Sequence, residues 1–129
     1  MKKVAIQGIA GSFHEIAARK FFDEEVNIIP CLTFKDIFEQ VTPQNDNFGI
    51  IAIENTIAGS LLQNHHLISN SDLQIIGEYK LRIEHSLVAL PNQKLEDITE
   101  VHSHPIALMQ CEEFLSRHKT IKAVESEDT

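Results

Sequence analysis

Phe48-Gly49-Ile50-Ile51-Ala52-Ile53-Glu54-Asn55-Thr56-Ile57-Ala58-Gly59-Ser60 is the stretch on which the reading of the fold turns. Phe48 to Ile53 is a continuous apolar run, the mark of a strand buried on both faces. A carboxylate, a carboxamide, a hydroxyl and a Gly-Ser pair follow it directly. In open α/β sheets, ligands sit just past the carboxyl ends of strands, so small polar groups there suit a pocket. They suit equally a strand-to-helix turn, with Asn55 or Thr56 bonding its own backbone and Gly59-Ser60 starting the next helix. Taken alone, the segment leaves pocket and turn evenly balanced.

Working outward, the chain alternates strands and helices. Val4-Ala5-Ile6 reads as a first strand, and a glycine-bracketed turn from Gly8 to Ser12 follows. Phe13 to Phe22 carries Phe13, Ile16, Ala17 and Phe21 at helical spacing. Val26 to Cys31 reads as a second strand. Thr33 is placed to cap a helix with Phe34, Ile37, Phe38 and Val41 on one face. After the third strand, Ser60 to Ser69 predicts a helix with Leu61, Leu62, His65 and Ile68 inward. This alternation argues for parallel βαβ units. Past residue 72 the pattern changes. Leu73 to Leu90 holds extended apolar segments and reads as a crossing into a second sub-domain. A short helical turn at Leu95–Ile98, a strand at Thr99–His102, a helix over Pro105–Arg117 and a strand at Ile121–Val124 follow. The expected division is a first α/β lobe over 1–77 and part of a second over 78–129. Ser126-Glu127-Asp128-Thr129 looks like the capped start of a further helix, so the chain reads as a fragment.

Length and composition narrow the function classes. The 129 residues are 43% hydrophobic, enough for a packed core, with a formal charge of −8. That charge argues against a nucleic-acid surface, which needs a basic face for phosphates. It leaves room for a small anionic ligand held by backbone amides. Cys31 and Cys111 share no metal-ligand spacing and read as free, buried thiols in a reducing compartment. The apolar part of the N-terminus is too short for a signal peptide, and no run reaches membrane-spanning length. A cytoplasmic protein with no membrane partner is the expectation.

Two helix starts could carry chemistry beside the opening segment. Gly8-Ile9-Ala10-Gly11-Ser12-Phe13-His14-Glu15 leads a strand through two glycines to a helix N-terminus, whose amides and dipole favour an anion. The spacing is not a nucleotide-binding one, and a plain turn capped by Ser12 explains it as well. His14 and Glu15 are expected in solvent. Val101-His102-Ser103-His104-Pro105-Ile106-Ala107-Leu108-Met109-Gln110-Cys111 starts another helix, with Ser103 or His104 as cap and Pro105 in its first turn. His102 and His104 invite a metal, but no carboxylate stands at a supporting short spacing and the ligand count falls short, so no metal is expected. Two sub-domains that each offer a helix N-terminus suggest a cleft for a ligand with two anionic ends. That reading does not choose between enzyme and binding protein.

Three of these segments together resemble the prephenate dehydratase family: GIAGSFHEIAA at Gly8–Ala18, IENTIAGSL at Ile53–Leu61 and HSHPIALMQC at His102–Cys111. Their order and separations fit the family. The resemblance implies a lyase that converts prephenate to phenylpyruvate in phenylalanine biosynthesis, with no cofactor. It implies a two-lobed type II periplasmic-binding-protein-like fold, here with the second lobe incomplete. By the same resemblance Asn55, Ser103 and Gln110 match the catalytic positions. Gly11, Ser12, Thr56, Gly59, Ser60 and His104 would bind or shape the carboxylate pockets, while Glu54 would either orient neighbours or stay structural. The family's Thr-Arg-Phe motif and its regulatory domain are absent, so a fragment inactive alone is expected. An incomplete second lobe leaves an exposed sheet edge, which predicts a homo-oligomer. The alternative is a non-catalytic binding module for small carboxylates on the same fold.

Overall fold

Val4, Ala5 and Ile6 are fully removed from solvent, as an apolar run in a central parallel strand requires. The computed structural model describes residues 1–127, in two units: Met1–Asn55 with Ser60–Ile83, and Thr56–Gly59 with the described residues from Glu84 onward. In the first unit, β1 (Lys2–Gln7) lies between β2 (Val26–Cys31) and β3 (Phe48–Gly49), all parallel. The register sets Val4 beside both Ile28 and Phe48. Because side chains alternate along a strand, the core splits into two layers. Val4 and Ile6 pack with Val26 against Ala18 and Phe22 of α1 (Phe13–Phe22), and Ala5 and Cys31 pack against Ile37 of α2 (Phe34–Gln40). Each buried Val or Ile is worth roughly 1.5–3 kcal/mol over its exposed state. Parallel strands covered by helices confirm the expected α/β class.

Both helices begin where their caps place them. Ser12 Oγ accepts from the Glu15 amide at 3.3 Å. Thr33 and Asp36 form a reciprocal capping box, with bonds of 3.2 and 2.9 Å. The inward stripe of α1 differs from the expected one. Ala18, not Ala17, is fully buried, and Ile16 is 40% exposed. The small Ala18 lets the helix sit close on the sheet, and Phe21 packs instead beside the Gly77 backbone.

The third strand is shorter than its apolar run predicts. Only Phe48–Gly49 pairs in the ladder, and the Ile50 amide adds one bond to Ala5 O at 3.0 Å. The chain then leaves the sheet because α3 (Leu62–Ser69) competes for its carbonyls. Asn64 Nδ2 donates to Ala52 O at 2.7 Å, and His65 Nε2 and the Leu61 amide meet Ile53 O at 3.1 and 2.9 Å. Two short segments, β4 (Glu54–Asn55) and β5 (Gly59–Ser60), pair as a ribbon. Ser60 is therefore a strand residue, and the helix starts two residues later than expected. Its buried residue is Asn64, 2% exposed, while Leu62 and His65 face solvent. From Leu73 to Leu90 the chain forms neither helix nor strand, and Ile75, Ile76, Val88 and Leu90 are exposed.

In the second unit, β6 (Glu100–Ser103) and β7 (Lys122–Glu125) run parallel, with Glu100 opposite Lys122 and Ser103 opposite Glu125. The helix expected over Pro105–Arg117 is two helices, α4 (Pro105–Gln110) and α5 (Glu112–Arg117). The Cys111 amide is shared between Ala107 O and Leu108 O at 3.1 Å each. That tightening of the last turn ends α4 one residue before α5 begins. Ala107 and Ile121 are the buried apolar residues among those described here. The helix start read at Ser126–Thr129 falls partly on Asp128 and Thr129, which lie outside the described residues. No helix among the described residues is long and apolar enough to cross a membrane.

Candidate active site

The Gly8–Ser12 loop joins β1 to α1, and its geometry rests on Gly11. Gly11 has φ +89°, in the left-handed region that favours glycine. Gly8 anchors the loop by donating to Cys31 O at 2.9 Å. The Gly11 amide donates to Glu15 Oε2 at 2.6 Å, and Glu15 Oε1 receives Arg19 Nη2 and Nε at 2.6 and 2.9 Å. Glu15 is thus no solvated first-turn residue. It supplies the loop with an anion from within the chain. The Gly11 amide holds its carboxyl below the usual range, with Arg19 adding to the effect. His14 departs from expectation too. It is half-buried, with its ring edge-on to Phe34 at 5.4 Å, and burial lowers its pKa from 6.5.

Asn55 is half-buried in β4, Ser60 lies exposed in β5, Thr56 is exposed, and Gly59 has φ +82°. At the β6–α4 junction Ser103 is half-buried at the strand end, and its carbonyl accepts from the Ser126 amide at 2.8 Å. His104 is the cap of α4, its Nδ1 accepting from the Ile106 amide at 3.2 Å. An open depression of about 470 Å³ lies there, lined by His104, Pro105, Glu125, Ser126 and Glu127. Its two glutamates would repel a free anion. The electrostatics at this helix start therefore suit a neutral donor better than a carboxylate pocket.

Gln110 stands at the other end of α4, roughly 8 Å along the axis from Pro105. Its Oε1 lies 2.5 Å from His85 Nε2. Sequence reasoning missed His85, whose partner is 25 residues away with no spacing to announce it. It also missed the carboxylate beside His102, since Glu100 Oε2 lies 3.0 Å from His102 Nε2. Residues two apart on a strand share a face, which is why this pair meets. Among the described residues, no group of three or more His, Cys, Asp or Glu side chains could hold a metal. Cys31 is buried and Cys111 half-buried, both free, and burial pushes the Cys31 thiol up.

The ordered motifs thus lie in a glycine loop, a strand ribbon and a strand-to-helix junction. A family model described as prephenate dehydratase matches residues 4–129. The chain belongs to the prephenate dehydratase family. It is 39% identical over 115 residues to arogenate dehydratase 2 of Petunia hybrida, covering 89% of this chain and 29% of that protein. It is 33% identical over 131 residues to the bifunctional chorismate mutase/prephenate dehydratase of Escherichia coli K12, covering 98% of this chain and 34% of that protein. The chain therefore spans about a third of the length of these relatives. Among solved structures it is similar to GqqA, described as a novel type of quorum quenching acylase, with a TM-score of 0.78 and 29% identity over 99% of this chain and 46% of that one. The fold is also shared with a prephenate dehydratase from Arthrobacter aurescens solved with L-Phe, at a TM-score of 0.68, 23% identity, and 98% and 42% coverage. Asn55, Ser103 and Gln110 are uncharged hydrogen-bonding side chains.

Proposed function

We propose that the protein carrying this chain catalyses the decarboxylating dehydration of prephenate to phenylpyruvate. The observation that carries this reading is the family match across residues 4–129. The reaction takes one proton and releases carbon dioxide and water. Electrons of the breaking ring–carboxylate bond flow into the ring, which becomes aromatic as the opposite hydroxyl leaves. The site must therefore hold the side-chain carboxylate, leave the ring carboxylate poorly solvated, and donate hydrogen to the departing hydroxyl. Asn55, Ser103 and Gln110 are the proposed donors. Gly11, Ser12, Thr56, Gly59 and Ser60 are proposed to shape the carboxylate pockets, with Glu15 yielding the Gly11 amide if a substrate carboxylate takes it, and His104, beside Glu125 and Glu127, is proposed to meet the substrate at a neutral group. The two-lobed type II periplasmic-binding-protein-like description, self-association and a cytoplasmic location belong to the same proposal. Parallel strands with flanking helices in each unit support the first of these.

The names of the plant relatives favour a second substrate. Arogenate differs from prephenate by an amino group in place of the side-chain keto oxygen, and relatives at 36–39% identity are named arogenate dehydratases. The complete gene product, offered prephenate and arogenate separately, is expected to release phenylpyruvate from the first. Phenylalanine formed from arogenate alone would transfer the assignment to that substrate, and no product from either in a folded protein would end the dehydratase reading. Asn55→Ala is expected to lower kcat by at least roughly 10²-fold, in a protein that still folds.

A further inference from the structure

Gln110 ends α4 half-buried, with its Oε1 2.5 Å from Nε2 of His85. An amide oxygen only accepts, so the ring nitrogen carries the hydrogen. The bond fixes two features together. It selects the Nε2–H form of His85, and it stops the Gln110 carboxamide from turning over to exchange oxygen for nitrogen. A carboxamide free to turn presents its oxygen to an anionic substrate as readily as its NH₂, and an oxygen there repels the anion. With the oxygen held by the ring, the NH₂ remains as the group a substrate can meet. We propose that His85 is a positioning residue for the dehydratase reaction, holding the Gln110 oxygen so that its NH₂ is presented to prephenate. The inference rests on the dehydratase reading above and on Gln110 facing the substrate. His85 lies in the stretch without helix or strand, so the same bond pins that segment of the second unit onto α4.

The test uses the complete gene product with prephenate as probe. His85→Leu is expected to lower kcat by roughly tenfold or more, with KM and the thermal midpoint changed much less. His85→Gln, whose side-chain amide carries a donor to nearly the same reach, is expected to restore most of the loss. In a Gln110→Ala background, His85→Leu is expected to cost nothing further, because the partner it orients is gone. Long-range ¹H–¹⁵N spectra of the wild-type protein are expected to show the Nε2–H tautomer at His85. A Nδ1–H tautomer, a wild-type kcat in His85→Leu, or a His85→Leu loss that adds in full to that of Gln110→Ala would each overturn the proposal. If His85→Leu does not fold, the tautomer and a near-normal kcat in His85→Gln carry it, and a collapsed kcat in folded His85→Gln overturns it. Should the wild-type protein form no phenylpyruvate while His85 is Nε2–H, the dehydratase reading falls and takes the catalytic claim with it, leaving the bond itself established.

Discussion

Glu15 and His14 sit side by side at the start of α1 and respond to acid in the same direction through different causes. Glu15 is held below its usual 4.5 by the Gly11 amide and then Arg19. Its folded form takes a proton less readily than its unfolded form, so its contribution is present above about pH 4.5 and lost as pH falls through the lowered value. His14 is held below 6.5 by burial. The unfolded chain takes that proton first, so stability is intact above 6.5 and drains away as pH falls below it. Denaturation midpoints at pH 7 and 5 should therefore separate in the wild type and draw together in His14→Leu, whereas Glu15→Gln should flatten the loss only below pH 5. An unchanged pH slope in both variants would refute the assignment. Asn64 gives a second residue-scale expectation. Asn64→Leu leaves Ala52 O without its 2.7 Å donor and is expected to cost about 1–3 kcal/mol, read from urea midpoints. Neither Asn64 nor His85 was legible in the sequence. Their partners, Ala52 and Gln110, lie 12 and 25 residues away, and each bond has one end on irregular backbone, where no periodicity operates.

Among elements, legibility follows the range of the forces involved. α1 runs from Phe13 to Phe22 as read, because Ser12 caps it locally and the left-handed Asp23 ends it. The cap at Thr33 was equally legible, and Thr33→Ala is expected to cost about 1 kcal/mol, seen as a lower thermal midpoint with the helical signal otherwise intact. β3 was read too long because an apolar run reports burial and not hydrogen-bond partners, and α3 takes the carbonyls that a longer strand would need. The α4–α5 break escaped for a related reason. An unbroken apolar period across Cys111 carries no mark of one amide shared by two carbonyls. Gly49 shows packing that no pattern reveals. A Cβ there would lie 2.8 Å from Ile37 Cγ2 and 3.3 Å from Val41 Cγ2, and both methyls belong to stiff, β-branched side chains. Gly49→Ala is expected to destabilise by roughly 1–3 kcal/mol, checked by denaturant midpoint.

At the scale of the whole chain, the two units differ in what holds them. The first has a core layer on each face of its sheet, including three β1 residues with no exposure. The second has a two-stranded sheet and, among its described residues, Ala107 and Ile121 as buried apolar groups. Amide hydrogen exchange is therefore expected to be slowest in β1 and β2 and markedly faster in β6 and β7; equal protection would contradict the burial. The α/β class and the family were legible in the sequence because three ordered motifs and a strand–helix alternation survive without knowledge of packing. For the candidate site the sequence offers residue types and not bonding, since Glu15 on Gly11 and His85 on Gln110 are contacts that only folding makes. One consequence follows from the eighteen residues Leu73 to Leu90, which form neither helix nor strand. A protease binds its substrate as an extended chain, and this stretch has no helix or strand to be undone before it can be bound. Lys80 and Arg82 lie exposed within it, so brief trypsin digestion is expected to cut there first, leaving an N-terminal piece that keeps its three-stranded sheet.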